Sequence, residues 1–155
     1  SAGMRRARGL GQLPGHIFTL MGDGASQEWE VCVAAMAAAH YKLDNLTPIG
    51  DANGLQIDGL TNDIMNVEPL TGKYEAFGWT ARSIDGHDME QIIEALDWSK
   101  SVEGPAAIIA RTVKGKGVSF MENQAGWHGK APTVKEAEQA LMELRGEAAP
   151  AAGGN

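Results

Sequence analysis

The chain has 155 residues, with 13 basic and 20 acidic side chains and a formal net charge of −7. This length is typical of one domain with a core of moderate size, and the acidic balance argues against a general nucleic-acid binder. The longest apolar run, residues 31–39, is far shorter than the roughly 20 residues of a membrane span. The single cysteine, Cys32, excludes a disulfide framework and a zinc site built on cysteines. We therefore expect a cytoplasmic protein that contacts neither membranes nor nucleic acids.

Apolar stretches and segments of helical periodicity alternate along the chain. Strands are predicted at residues 16–21, 46–51, 79–84 and 106–113. The second is the weakest of these, because Pro48 lacks an amide donor and Gly50 packs little. The alternation predicts an α/β fold, a parallel sheet flanked by helices.

Helices are predicted between the first three strands. Residues 26–42 are apolar on nearly all sides, as expected of a helix buried between the sheet and a partner surface, and Ser26 is the expected N-cap. A shorter helix is predicted from Pro69 to Gly78, because proline favours the first turn of a helix and glycine its end.

Two further helices have capping signals. The helix that follows Asp88 has this residue as its cap, Gln91 at the capping-box position, and an apolar stripe. The stripe consists of Met89, Ile92, Ile93 and Leu96. The last helix starts at Thr133, with Glu136 at the capping-box position. It is expected to bury Val134, Ala137, Leu141 and Leu144.

The domain is expected to cover residues 1–147, and the low-complexity tail at 148–155 is predicted to be disordered. Because the chain begins with Ser1 rather than methionine, we expect a piece of a larger protein and an incomplete domain. The glycine-rich segment 114–132 is long for a plain connection, and long ordered loops are often functional.

Two glycine-flanked acidic turns follow the first two predicted strands. Asp23 lies between Gly22 and Gly24, and Asn53 precedes Gly54. The carboxyl ends of parallel strands form the usual ligand-binding edge of a sheet, so the two side chains are expected to converge there. A carboxylate, an amide oxygen and a backbone carbonyl are ligands that Mg²⁺ prefers, and glycines let the backbone approach a diphosphate.

The alternative is a pair of ordinary turns, since glycine and aspartate close turns in many α/β proteins. A calcium loop is a further alternative, because the sequence DANGLQID at residues 51–58 resembles the start of one. An EF-hand loop needs glycine at its sixth position and glutamate at its twelfth. Here the glycine is fourth and the twelfth position is Asn62, which excludes that interpretation.

Taken together, the motifs of this chain resemble the transketolase family. The residues that carry the resemblance are GDGASQE at 22–28, AAHYKLDNL at 38–46, DANGLQIDG at 51–59, DGHD at 85–88 and TVKGKGVSFMENQAGWHGKAP at 112–132. The resemblance covers residues 1 to about 145 and is best with the amino-terminal, thiamine diphosphate-binding subunit of split, two-chain transketolases. It implies the thiamine diphosphate-binding fold, with residues 1–147 as the carboxyl-terminal part of its diphosphate-binding domain.

The resemblance implies thiamine diphosphate and Mg²⁺ as cofactors. Asp23 and Asn53 would bind the metal by their side chains and Leu55 by its carbonyl. Gly22, Gly24 and Asn53 would contact the diphosphate.

Two other positions have roles only through the resemblance. His128 matches a histidine that the family places near cofactor and substrate, where an imidazole can stabilise developing charge. Its alternative is a histidine of a surface loop. Glu28 matches a glutamate at the family's dimer contact, and both residues are counted here as catalytic positions.

The implied activity is a transferase reaction that moves a two-carbon ketol unit between phosphorylated sugars. This chain would supply the metal and diphosphate half, and a pyrimidine-binding domain or subunit would supply the rest of an oligomeric enzyme. The alternatives are an inactive fragment or pseudo-subunit that acts as an interaction module, and a related thiamine enzyme such as a deoxyxylulose phosphate synthase. The chain departs from the family pattern at Trp29, Val33, Pro48 and Gly50.

Overall fold

The computed structural model of the chain describes residues 15–146. The predicted tail at 148–155 lies outside these residues, as does the predicted domain boundary at residue 147. The chain divides into two compact units, the first ending at Thr112 and the second beginning at Val113. Within the described part, no helix is long and apolar enough to cross a bilayer.

The first unit is built on a parallel sheet. Its strands are β1 (Ile17–Gly22), β2 (Leu46–Ala52), β3 (Leu55–Gln56), β4 (Gly59–Leu60), β5 (Thr80–Asp85) and β6 (Ala106–Arg111). Four of them form one sheet in the order β1-β2-β6-β5, with every neighbouring pair parallel. β3 and β4 form a separate antiparallel hairpin. The four predicted strands are confirmed, although β6 ends at Arg111 rather than at residue 113.

Strand β2 forms despite its proline and its glycine. Pairing of β2 with β6 begins at Ile49, so Pro48 precedes that ladder and its missing amide costs no bond there. A Cβ atom on Gly50 would lie 3.3 Å from Cδ1 of Ile109, so the glycine makes room for this buried side chain of β6. The departure at Gly50 is therefore compatible with the sheet.

The first unit contains its three predicted helices in the predicted order, and one short helix that was not predicted. They are α1 (Trp29–His40), α2 (Thr61–Ile64), α3 (Leu70–Ala76) and α4 (Met89–Ser101), and a 3₁₀ turn, Gly24–Gln27, precedes α1. The prediction of Ser26 as an N-cap is wrong. The Ser26 amide closes the 3₁₀ turn on the Asp23 carbonyl at 2.9 Å, so the α-helix starts later, with Glu28 as an N-cap that makes no side-chain bond.

Two apolar clusters lie on the first unit's sheet. One contains Leu46 and Ile109 together with residues of α1 and α3 and with Trp79, which directly precedes β5. The Trp79 indole donates to the Ala35 carbonyl at 3.0 Å. The other contains Ile84, Ile108 and Ala110 of the sheet and Ala95 of α4. Helix α1 buries only Ala35 and Ala38, and it leaves three large side chains exposed. These are Trp29, Val33 and Met36.

Helix α4 is capped as predicted but packs differently. The Asp88 carboxylate accepts the amides of Glu90 and Gln91, while the Gln91 side-chain oxygen accepts the Asp85 amide at 3.0 Å instead of completing a capping box. Of the predicted apolar stripe, Ile92 and Leu96 pack against the core, but Met89 and Ile93 are exposed. The contact is centred on Ala95 and Ser99, whose small side chains are fully buried.

The second unit contains a 3₁₀ turn, Ala125–Trp127, and helix α5 (Val134–Arg145). The capping box of Thr133 and Glu136 is confirmed. The predicted burial is wrong for three residues, since Val134, Leu141 and Leu144 are exposed and Ala140 is the buried residue of this helix. Segment 114–132 is ordered by its aromatic side chains, because the Trp127 indole donates to the Phe120 carbonyl at 2.9 Å and packs against the Phe120 ring.

Candidate functional site

The first unit places the two acidic turns at one edge of its sheet. Strands β1 and β2 are parallel neighbours, and Gly22 pairs in register with Asp51. Asp23 and the Asn53 segment therefore leave adjacent strands at the same carboxyl edge, which is where open parallel sheets bind ligands. The predicted adjacency of the two turns is borne out by this topology.

The Asp23 carboxylate is buried and only half satisfied. The side chain is 5% exposed. Its Oδ2 accepts the Gly54 amide at 2.5 Å and faces the Thr61 hydroxyl at 3.4 Å. Its Oδ1 is buried without a hydrogen-bond partner, one of two such side-chain atoms among the described residues. An unpartnered buried carboxylate oxygen is costly, so it marks a position where another group is expected to bind.

Burial raises the pKa of Asp23 above its ordinary value of 3.8. The Gly54 amide opposes this shift, and the negative charge of Asp51 adds to it. The nearby Arg111 guanidinium forms a two-point ion pair with Glu68 and so is engaged elsewhere. Among the described residues around Asp23, negative charges therefore outnumber positive ones.

The second turn shapes the other side of this edge. The Asn53 side-chain oxygen accepts the Leu55 amide at 2.9 Å, which fixes its amide group close to the backbone. Leu55 is buried and begins the β3–β4 hairpin by pairing with Leu60. Gly54 has a φ of +76°, a left-handed conformation that favours glycine.

The glycines around Asp23 leave open space. A Cβ atom on Gly22 would meet no atom within 4 Å, and one on Gly24 would lie 3.6 Å from the Gln56 Cβ. The backbone of the first turn is therefore accessible from the side of Gly22, which is what close approach of a diphosphate requires.

Two neighbours of Asp23 were not identified from the sequence. Asp51, the penultimate residue of β2, accepts a hydrogen bond from the Thr112 hydroxyl and acts on Asp23 through its charge. Thr61 contacts Asp23 directly. Threonine carries no spacing signal that distinguishes it from an ordinary helix start, so only the hairpin fold that returns it to Gly54 identifies it.

The oxygen atoms at this edge fit a hard divalent cation. No cluster of three or more His, Cys, Asp or Glu side chains suited to a metal occurs in residues 15–146. The expected set of Asp23, Asn53 and the Leu55 carbonyl contains only one such side chain, and Mg²⁺ commonly keeps waters and phosphate oxygens as its remaining ligands. The unpartnered Oδ1 of Asp23 is the observation that fits this ion.

The two remaining predicted site residues, Glu28 and His128, are exposed. Glu28 is exposed at the start of α1. His128 is exposed in the second unit, directly after the 3₁₀ turn, and its amide donates to the Ala125 carbonyl at 2.8 Å. Beside it, the Lys130 ammonium lies 3.9 Å from the centre of the Trp127 ring. The side chain of His128 thus faces outward within its own unit.

The sequence matches a family profile described as "Transketolase, thiamine diphosphate binding domain" over residues 6–148. The chain belongs to the transketolase family. The resemblance inferred from its motifs is thereby confirmed, and the matched domain is the one that binds thiamine diphosphate in this family.

Relatives of the chain include single subunits of transketolases. The chain is 41% identical over 150 residues to "6-deoxy-6-sulfo-D-fructose transketolase subunit SqwG" of Clostridium sp. (strain MSTE9). This alignment covers 96% of this chain and 54% of the relative. The chain is 40% identical over 145 residues to one subunit of an apulose-4-phosphate transketolase from Phocaeicola vulgatus, with coverage of 92% and 51%. The chain therefore spans about half the length of these relatives.

The fold also matches solved transketolases. The structure of transketolase from Campylobacter jejuni aligns with a TM-score of 0.81 at 33% identity, over 92% of this chain and 23% of that one. The predicted α/β fold with a parallel sheet is confirmed by this similarity and by the sheet itself.

Proposed function

We propose that this chain is the thiamine diphosphate-binding part of a transketolase-like enzyme that transfers a two-carbon ketol unit between sugars. Membership in the family and the half-satisfied Asp23 carboxylate support this function. The proposed substrates are phosphorylated sugars or their sulfonated counterparts, since the two relatives above are named for one of each.

In this proposal Mg²⁺ is bound at the carboxyl edge of β1 and β2. Asp23 contributes Oδ1, Asn53 its side-chain oxygen and Leu55 its carbonyl. Burial raises the pKa of Asp23 in the metal-free chain, and a bound cation would oppose that shift, because a nearby positive charge favours the ionised form. The residues Gly22, Gly24 and Asn53 would contact the diphosphate, and the metal would supply positive charge to neutralise it.

Thiamine diphosphate supplies the nucleophilic carbon that accepts the two-carbon unit. The roles of this chain are to hold the diphosphate end and to place polar groups near the sugar. His128 is proposed to stabilise charge on a sugar oxygen, and Glu28 to lie at a contact between subunits.

The remainder of the site is proposed to come from a pyrimidine-binding domain or subunit, so this chain alone is insufficient for catalysis. Relatives named as one subunit of a transketolase support a second component. We also propose an oligomeric assembly and a cytoplasmic location, which the single cysteine Cys32 suits.

A second candidate is an inactive pseudo-subunit that binds a partner without cofactor. The exposed apolar residues on α1 favour it, with Trp29 70% exposed and Val33 also exposed at a position where the family pattern has a glutamate. Of the thiamine enzymes, a transketolase is preferred to a deoxyxylulose phosphate synthase, because the relatives named above are transketolase subunits.

Calorimetry distinguishes the two candidates. The chain is titrated with thiamine diphosphate in the presence of Mg²⁺, first alone and then with a transketolase pyrimidine-domain subunit. We expect binding heat that Asp23→Ala abolishes, because this change removes the unpartnered oxygen. The matched control is Asp97→Ala, which removes an exposed carboxylate of α4 that pairs with Lys100.

Binding heat that is lost in Asp23→Ala and kept in Asp97→Ala supports the cofactor-binding proposal. The absence of heat in both settings, with the chain shown to be folded by circular dichroism, overturns it and favours the pseudo-subunit. Equal heat from Asp23→Ala and the unchanged chain places the cofactor elsewhere.

A further inference from the structure

Thr61 joins the two turns of the proposed metal site. The residue is 2% exposed and begins α2, directly after the β3–β4 hairpin. Its amide donates to the Gly54 carbonyl at 2.9 Å, and its hydroxyl faces Asp23 Oδ2 at 3.4 Å. Because the Gly54 amide donates to the same Oδ2 at 2.5 Å, the three residues form a closed set of contacts.

The hairpin explains how these residues meet. Leu55 pairs with Leu60, so the chain leaves the second turn, reverses, and returns Thr61 to the level of Gly54. The contacts of Thr61 and Gly54 therefore tie the Asn53–Leu55 segment to Asp23 across a sequence separation of more than 30 residues. All three expected metal ligands belong to the two segments that this set joins.

The two oxygens of the Asp23 carboxylate differ in their hydrogen-bond partners. Both donors, the Gly54 amide and the Thr61 hydroxyl, lie at Oδ2, and Oδ1 has no hydrogen-bond partner. A carboxylate whose one oxygen is held cannot rotate freely, so the other keeps a fixed direction. Partners outside the ligand set orient metal ligands in this way.

Threonine suits this position better than other hydroxyl residues. A β-branched side chain has few χ1 rotamers, so a buried threonine loses little freedom when its hydroxyl is held in one direction.

We propose that Thr61 is a positioning residue for the metal: it holds Oδ2 of Asp23 and the Gly54 loop so that Oδ1 is presented to the cation. This inference rests on the proposed function, because it assumes that Asp23 binds Mg²⁺. It goes further by assigning a role to a residue outside the proposed set of metal ligands.

The test compares Thr61→Val, which keeps the shape and removes the hydroxyl, with Thr61→Ser, which keeps the hydroxyl. Each variant of the full chain, with the pyrimidine-domain subunit present, is titrated with thiamine diphosphate at fixed Mg²⁺ by calorimetry. Loss of such an orienting partner typically weakens metal binding by about 10- to 100-fold, so we expect at least a tenfold weaker affinity for Thr61→Val. Thr61→Ser is expected to restore most of it, and Thr80→Val, a change at an exposed threonine, serves as the control.

The outcomes separate this inference from the proposed function. Absence of binding by the unchanged chain overturns both. Binding by the unchanged chain with equal affinity for Thr61→Val overturns the role of Thr61 alone. An equal loss in Thr61→Val and Thr61→Ser also overturns it, because keeping the hydroxyl would then give no advantage over removing it.

A measurement on the unchanged chain covers the case in which Thr61→Val fails to fold. Amide hydrogen exchange of Gly54 and Thr61 is followed by NMR before any metal or cofactor is added. Protection of both amides is expected, since both donate hydrogen bonds in the metal-free chain. Unprotected exchange of the Gly54 amide would mean that the contacts do not exist before binding and would overturn the inference.

Discussion

Two carboxylates, one in each unit, differ in whether both of their oxygen atoms accept hydrogen bonds from the chain. Glu143 of α5 accepts the Ser119 amide at 2.5 Å, the Ser119 hydroxyl at 2.9 Å and the Gln139 side chain at 2.9 Å. These bonds, the Ser119 amide first, hold the pKa of Glu143 below its ordinary value of 4.5. The pKa of Asp23 is shifted in the opposite direction, because burial and then the charge of Asp51 raise it, and one of its oxygens has no hydrogen-bond partner.

The difference supports the proposal that Glu143 has a structural role and that Asp23 binds a ligand. Glu143 is exposed enough to be solvated, yet the chain surrounds it with donors, so its function is to attach the loop at Ser119 to α5. Asp23 is buried, and the chain gives it two donors on one oxygen only. A fold that leaves a buried acceptor unsatisfied retains a cost in stability, which the binding of a cation would offset.

The strongest test of this comparison substitutes a glycine in the loop that donates hydrogen bonds to each carboxylate. Gly115 begins the turn that leads to Ser119, with φ at +72°, and a Cβ there would lie 2.6 Å from the Met121 carbonyl oxygen. Gly115→Ala therefore adds a backbone clash to left-handed strain, and we expect the loop to lose about 3 kcal/mol of stability. Native-state amide exchange at Val118 and Asn123, which both donate within this turn, measures the loss.

Gly54 is the matched position in the first unit. It also has a positive φ, +76°, but a Cβ there would meet no atom within 4 Å. Gly54→Ala is expected to cost only about 1 kcal/mol and to keep the bond from its amide to Asp23. Equal losses of stability in Gly54→Ala and Gly115→Ala would contradict the idea that crowding, rather than backbone strain alone, requires a glycine at position 115.

The strands and the two turns were predictable from the sequence for clear physical reasons. Short apolar runs separated by helical periodicity define a parallel sheet, so the positions of β1, β2, β5 and β6 followed from the pattern. Capping residues act locally, which is why the Asp88 cap and the Thr133 capping box were found. The adjacency of Asp23 and the Asn53 turn followed from topology, since neighbouring parallel strands end at one edge.

The errors arise where tertiary packing decides. The apolar residues of α5 predict a buried stripe, yet Val134 is 78% exposed because the helix packs through Ala140. Helix α1 starts later than predicted, because the residues before it form a 3₁₀ turn in which the Asp23 carbonyl accepts a hydrogen bond. Thr61 was missed because its role depends on a hairpin that returns it to Gly54, and no local spacing encodes that contact.

A smaller effect is expected from acid at Glu143. Its pKa is lowered in the folded state, so its contribution is complete above the unfolded value of 4.5 and is lost as pH falls through the folded pKa. We expect the Ser119 amide to lose exchange protection, corrected for the intrinsic rate, as pH falls below 4.5. Carbon-13 NMR of the Glu143 carboxyl group follows the same titration.

Glu143→Gln tests the cause of this pH dependence. Its neutral side chain should leave Ser119 less protected at neutral pH and insensitive to acid in this range. Glu138→Gln, at an exposed glutamate of the same helix, should leave the protection of Ser119 unchanged. A Ser119 amide in Glu143→Gln that keeps both its protection and its acid sensitivity would show that other groups attach the loop.

The smallest change in stability is expected for His128→Ala, although its effect on activity is expected to be large. The His128 side chain is exposed, and substitutions at such positions usually change the free energy of unfolding by no more than about 0.5 kcal/mol. If His128 stabilises charge on the sugar, ketol transfer by the chain with its pyrimidine-domain partner should fall by roughly 100-fold, the lower range for a general acid–base group. Thermal unfolding and the rate of transfer are measured on the same preparation, with His40→Ala, also exposed, as the control. A large loss of stability would make His128 structural, like Glu143, and an unchanged rate would leave the Asp23 edge as the functional region of this chain.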